Sequence, residues 1–206
     1  MSIPARWRAD FALGLLALLA GLIVCGCGGS SGGEATAASF PGGDAVPPRP
    51  APAINLTDYR GRPIDLARLK GRPVLVAFLY THCHDLCPIV ASKVHTAFAE
   101  LPPSKRPLFL AVSVDPAHDT PSSAAEFNRR HLTGGEIDWL LGSRAELENV
   151  WSTWGVKPER NAKDPEEIEH NAEIFAIDPQ GRIRALYPPD FRPAGLAAGV
   201  ETLREL

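Results

Sequence analysis

Two thiols, Cys83 and Cys87, stand with three residues between them in the run Tyr80-Thr81-His82-Cys83-His84-Asp85-Leu86-Cys87-Pro88. The run follows an apolar stretch and precedes a helical pattern, so the thiols are expected where a strand hands over to a helix N-terminus. Unpaired N–H groups and the macrodipole at such an end favour thiolate, the form that attacks disulfides and binds soft metals. At this spacing the pair can close a disulfide, where loop geometry permits, or converge on one metal ion. A purely structural disulfide is the weaker reading, because so short a loop constrains little of the unfolded chain.

The elements around the thiols are legible from pattern. Residues 74–80 form a continuous apolar run bounded by Pro73, as a strand buried on both faces requires. Pro88 suits the first turn of a helix running to about Glu100, with Ile89, Val90, Val94, Ala97, Phe98 and Leu101 on one face. Residues 108–114 read as the next buried strand and 115–120 as a loop, after which Thr120-Pro121 opens a helix reaching His131. A short strand at 137–141 precedes the capping box Ser143-Arg144-Ala145-Glu146, which starts a helix ending near Trp154. The polar, acidic stretch 157–169 is expected to be a long loop. Residues 172–177 and 183–187 pair around Asp178-Pro179-Gln180-Gly181, and a last helix covers about 194–206. Upstream, 56–58 and 63–65 flank Tyr59-Arg60-Gly61 as an N-terminal hairpin, followed by a helical turn closed by Gly71. Strands alternating with crossover helices and ending in an antiparallel hairpin describe an α/β, thioredoxin-like sandwich, a central mixed sheet flanked by helices. Ligand chemistry in such sheets gathers at the carboxyl ends of the strands, where Cys83 falls.

The 206 residues, 45% of them hydrophobic, suffice for one cored domain, expected over 54–206, plus an N-terminal extension. Arg6 and Arg8 precede an apolar stretch at 11–24, and small residues follow, which is the order of an export signal. Those 14 residues are short of the ~20 that a membrane span needs. Val24-Cys25-Gly26-Cys27 resembles a bacterial lipoprotein processing box with Cys27 as the acylated residue; a retained membrane anchor over 1–26 is the alternative. Residues 27–53 are Gly-, Ser-, Ala- and Pro-rich and read as a flexible linker. The domain is therefore expected outside the bacterial cytoplasmic membrane, on its periplasmic side, and tethered to it. Loss of Arg6, Arg8 and Asp10 on processing leaves 19 basic and 23 acidic residues, a formal charge of −4, and nothing suggests nucleic acid.

Three motifs in order, Phe78-Leu79-Tyr80-Thr81-His82-Cys83-His84-Asp85-Leu86-Cys87-Pro88, then Ser113-Val114-Asp115-Pro116-Ala117-His118-Asp119-Thr120-Pro121, then His170 ahead of Ile177-Asp178-Pro179-Gln180-Gly181, resemble the Sco/SenC copper proteins over roughly residues 54–206. The resemblance implies a thioredoxin-like fold in which two cysteines and a distant histidine bind copper. That copper is delivered to the copper A centre of cytochrome c oxidase, so the subunit carrying that centre is the implied partner, beside other exported copper or thiol-redox proteins. Carried over, the ligands are Cys83, Cys87 and His170, and Asp85 matches the acidic residue between the cysteines. Two thiolates and an imidazole suit Cu(I), and with a further donor can hold Cu(II). No proline occurs from Ile168 to Ile174, whereas thioredoxin-like oxidoreductases set a cis-proline against their cysteines, where it obstructs metal.

A tethered thiol:disulfide oxidoreductase is the competing expectation, with one of Cys83 and Cys87 as nucleophile and the other resolving the mixed disulfide. A peroxidase is a faint third, suggested only by Thr81 two residues before Cys83. His82 and His84 depart from the family pattern; His84 stands where proline is common. Each is open between surplus donor, modulator of the thiols and solvated bystander. Asp115 and Asp119 are expected to cap and brace their loop rather than work as an acid/base pair. His95 and His131 read as surface or helix-end residues, and Trp139, Trp151 and Trp154 as packing residues.

Overall fold

The computed structural model describes residues 38–164 and 166–206. The expected signal or anchor over 1–26, the expected acylation site Cys27 and the expected linker as far as residue 37 lie outside the described residues. No helix among the described residues is long and apolar enough to cross a membrane.

The central layer is built from four strands that bury every side chain or nearly so: β4 (Val74–Leu79), β5 (Leu108–Ser113), β6 (Ile137–Leu141) and β9 (Ile174–Ile177). They are flanked by β1 (Asp44–Pro50), β2 (Asn55–Asp58), β3 (Pro63–Asp65) and β10 (Arg182–Tyr187), in the sheet order β1-β10-β9-β4-β5-β6-β2-β3. β4, β5 and β6 run parallel, which requires the crossover helices α1 (Leu86–Ala99) and α2 (Pro121–Arg130) between them. β9 runs antiparallel to β4, and the hairpin β2–β3 sits beyond β6. α3 (Arg144–Trp154) starts at the Ser143/Glu146 capping box and ends at Gly155 in the left-handed region, while α4 (Pro193–Arg204) packs on α1. This is the thioredoxin-like sandwich expected from the pattern. Trp139, Trp151 and Trp154 are buried in its core.

Three expectations are corrected. The linker does not extend to Ala53, because Phe40 is buried in the core and β1 pairs with β10. A Cβ at Gly195 would stand 2.5 Å from Pro41 O, so α4 accepts this segment against its backbone only where it carries glycine. Pro47 and Pro48 fall where the β1–β10 register shifts, at an edge strand that tolerates missing donors. The loop 157–169 holds a small ribbon, β7 (Glu159–Arg160) paired with β8 (Ile168–Glu169). Finally, Pro88 lies in the first turn of α1 as expected, but Ile89 is exposed, so the buried stripe is Cys87, Val90, Ala91, Val94, Ala97 and Phe98.

Candidate metal centre

Topology brings three loops to one end of the sheet. Because β4 and β5 are parallel, the cysteine loop after β4 and the Asp115–Asp119 loop after β5 emerge side by side, joined by Val114 N–H donating to Leu79 O at 3.0 Å. Because β9 is antiparallel to β4, with Val76 opposite Phe175, the residues just before β9 lie level with those just after β4. His170 is thereby placed beside the cysteines despite the sequence distance.

Starting α1 at Leu86 puts Cys87 inside its first turn, where the backbone N–H of Cys87 donates to Cys83 Sγ at 3.3 Å. The sulfur thus takes the place of a side-chain cap, since Asp85 makes no such bond. Both thiols are free and buried. Hydrogen bonding from the Cys87 thiol holds Cys83 down at about 5 against the opposing effect of burial, and the backbone N–H groups of Cys87 and Asp85 and the Tyr80 hydroxyl act in the same direction. Burial pushes Cys87 upward, and the neighbouring Cys83 sulfur adds to that rise. The site therefore offers one thiolate and one thiol that shares its proton with it.

Tyr80 is the residue that sequence reasoning missed. Burial raises its hydroxyl to about 12, so it stays protonated and donates to Cys83 while accepting from Ile168 N–H at 3.3 Å. Its ring meets the His170 imidazole edge-on, centroids 6.1 Å apart. One side chain thus spans from the thiolate to the ribbon that carries the histidine. Its position three residues before the first cysteine was the only available signal. His170 Nδ1 lies 2.8 Å from Asn171 O; a carbonyl only accepts, so Nδ1 holds the proton and Nε2 keeps its lone pair. Cys83, Cys87 and His170 line one cavity of about 230 Å³ with Tyr80, Asp85 and Leu86. Among the described residues, no three His, Cys, Asp or Glu side chains are already gathered tightly enough to hold an ion, so ligation requires side chains to turn inward.

The neighbouring loop is braced as expected. Asp119 accepts from Thr81 N–H at 2.8 Å, Thr81 Oγ1 at 2.7 Å and Ser113 Oγ at 2.5 Å, and burial raises its carboxyl despite these donors. Asp115 accepts from Arg160 and His118. Neither carboxylate lines the cavity of the thiols. His95 pairs with Glu136, and His131 ends α2 against Phe127.

The SCO1/SenC family profile matches residues 48–205. The chain belongs to the SCO1/SenC family. It is 27% identical over 157 residues to "Protein SCO1 homolog, mitochondrial" of Homo sapiens, covering 72% of this chain and 51% of that protein; the chain spans about half the length of the mitochondrial relatives it matches. Among solved structures, Bradyrhizobium japonicum ScoI with copper bound is 28% identical with a TM-score of 0.63, covering 74% of this chain and 98% of that one. Apo Sco1 from Thermus thermophilus, at 27% identity and a TM-score of 0.67, covers 83% and 99% respectively.

Proposed function

We propose that this chain is an exported, membrane-tethered metallochaperone. In this reading Cys83, Cys87 and His170 hold copper for delivery to the copper A centre of a cytochrome c oxidase subunit. The observation that carries the reading is the convergence of both thiols and the His170 imidazole on one cavity. Membership in the SCO1/SenC family and the likeness to a ScoI structure that contains copper support copper as the cargo. The donor set fits, since two thiolates and an imidazole suit Cu(I) and leave a side open for transfer. Cys83 presents a thiolate near neutral pH, and capture of the ion releases the Cys87 proton. Tethering through Cys27, with 1–26 as signal, is the anchoring this reading favours, with residues 1–26 retained as a helix as the alternative.

A second reading, thiol:disulfide exchange, is favoured by the asymmetry of the pair: a low thiolate at Cys83 to attack and a buried Cys87 to resolve. It leaves His170 without a task. An anaerobic Cu(I) titration against a competing chelator separates the two. The chaperone reading expects one tight copper per reduced chain, lost in Cys83→Ser/Cys87→Ser and weakened in His170→Ala. If none of the three proteins competes for copper, the thiols serve electron exchange.

A further inference from the structure

We propose a second metal-binding site, for a divalent copper ion, in the cleft on the other side of the cysteine loop, formed by His82, His84 and His118. It is a separate site from the thiols, and its case does not depend on their ligand role. The cleft, about 290 Å³, is lined by these three histidines with Asp115, Arg160 and Glu166. His82 and His84 flank Cys83 in sequence yet line this cleft and not the thiol cavity.

Hydrogen bonds already fix the tautomer of two of the imidazoles, though as among the thiols the side chains must turn inward to share an ion. His118 Nδ1 donates to Asp115 Oδ2 at 2.7 Å, the carboxylate–histidine arrangement that fixes a tautomer and leaves Nε2 as the donor atom. His82 Nδ1 lies 3.1 Å from Thr81 Oγ1, whose own proton goes to Asp119 at 2.7 Å, so the His82 ring donates to the hydroxyl and its Nε2 is likewise the free lone pair. Both relays end on a buried carboxylate. The two rings meet at 5.8 Å between centroids, 72° between planes. With a metal–nitrogen bond of ~2.0–2.1 Å, two imidazoles on one ion at cis or tetrahedral angles stand about 4.5–5.2 Å apart, so closure needs an approach of about 0.6–1.3 Å. His84 is exposed and supplies the third donor by rotation.

Charge is compatible with a cation. Arg160 opposes it from its pairing with Asp115 Oδ1, and the carboxylates of Asp115 and Glu166 offset that. Imidazole donors without thiolate select borderline divalent ions, and among these copper(II) binds tightest. The chain thus separates a nitrogen site for Cu(II) from a sulfur-rich site for Cu(I).

The test uses the full chain in detergent carrying Cys25→Ser, Cys27→Ser, Cys83→Ser and Cys87→Ser, titrated with Cu(II) chloride and followed by electron paramagnetic resonance. One ion per chain with hyperfine coupling to imidazole nitrogen is expected, and adding His82→Gln and His118→Gln should weaken binding by roughly tenfold or more and remove that coupling. His82→Gln alone, at an exposed side chain, gives the same comparison if the double replacement alters folding. Absence of Cu(II) binding, an affinity and spectrum indifferent to His82 and His118, or binding abolished by His170→Ala instead would each overturn the site.

Discussion

At the scale of single residues, the site works by unequal treatment of two identical side chains. Cys83 accepts from the first turn of α1, from Tyr80 and from Cys87, whereas Cys87 is buried beneath it. In the reduced protein, Cys83 should therefore react with iodoacetamide with a midpoint near pH 5, and Cys87 only far above the ordinary thiol range. A single midpoint near the ordinary thiol value in mass-resolved alkylation contradicts this. The sign for stability follows: the folded-state pKa of Cys83 is depressed, so its contribution is full above the unfolded thiol value and is lost as pH falls through about 5. Thermal midpoints of the reduced protein should rise with pH between those values, and Cys83→Ser should flatten the rise. Tyr80→Phe removes the hydroxyl that joins Cys83 to Ile168 while keeping the ring against His170. We expect a loss of about 0.5–1.5 kcal/mol in urea unfolding and a higher alkylation midpoint for Cys83. The cysteine spacing made the thiols legible in sequence, but which one ionises was not, because that depends on where α1 begins. Pro88 marks the first turn, but no local pattern dictates that the Cys87 N–H meets the Cys83 sulfur.

At the scale of elements, parallel β4 and β5 and antiparallel β9 deliver the three loops that make the site. The long apolar runs, both capping signals and the β9–β10 hairpin were readable, since each depends on local periodicity or turn chemistry. The ribbon β7–β8 was not, because strands of two residues leave no periodicity and exist by pairing across the loop. The registry between the cysteine loop and the next loop rests on Thr81 and Asp119. Asp119→Ala leaves the buried Thr81 N–H and the Ser113 hydroxyl without their acceptor, and should cost roughly 1–3 kcal/mol in urea unfolding while weakening copper retention. Full stability in that variant would mean that the loop is held by other contacts.

At the scale of the whole domain, composition misled at one place. Residues 38–50 look like linker because they are rich in proline and small residues, yet a single buried aromatic, Phe40, and edge pairing to β10 fix them. Gly195→Ala, which sets a methyl against the Pro41 carbonyl, should destabilise the domain by about 1–3 kcal/mol in thermal or urea unfolding; an unchanged midpoint would mean that this segment detaches at no cost. X-ray absorption on the reduced, Cu(I)-loaded full chain distinguishes whether Cys83, Cys87 and His170 hold one copper together, as proposed. Two sulfur neighbours and one nitrogen neighbour are expected, with the nitrogen lost in His170→Ala and both sulfurs lost in Cys83→Ser/Cys87→Ser. A shell without sulfur, or one that His170→Ala leaves unchanged, would contradict it.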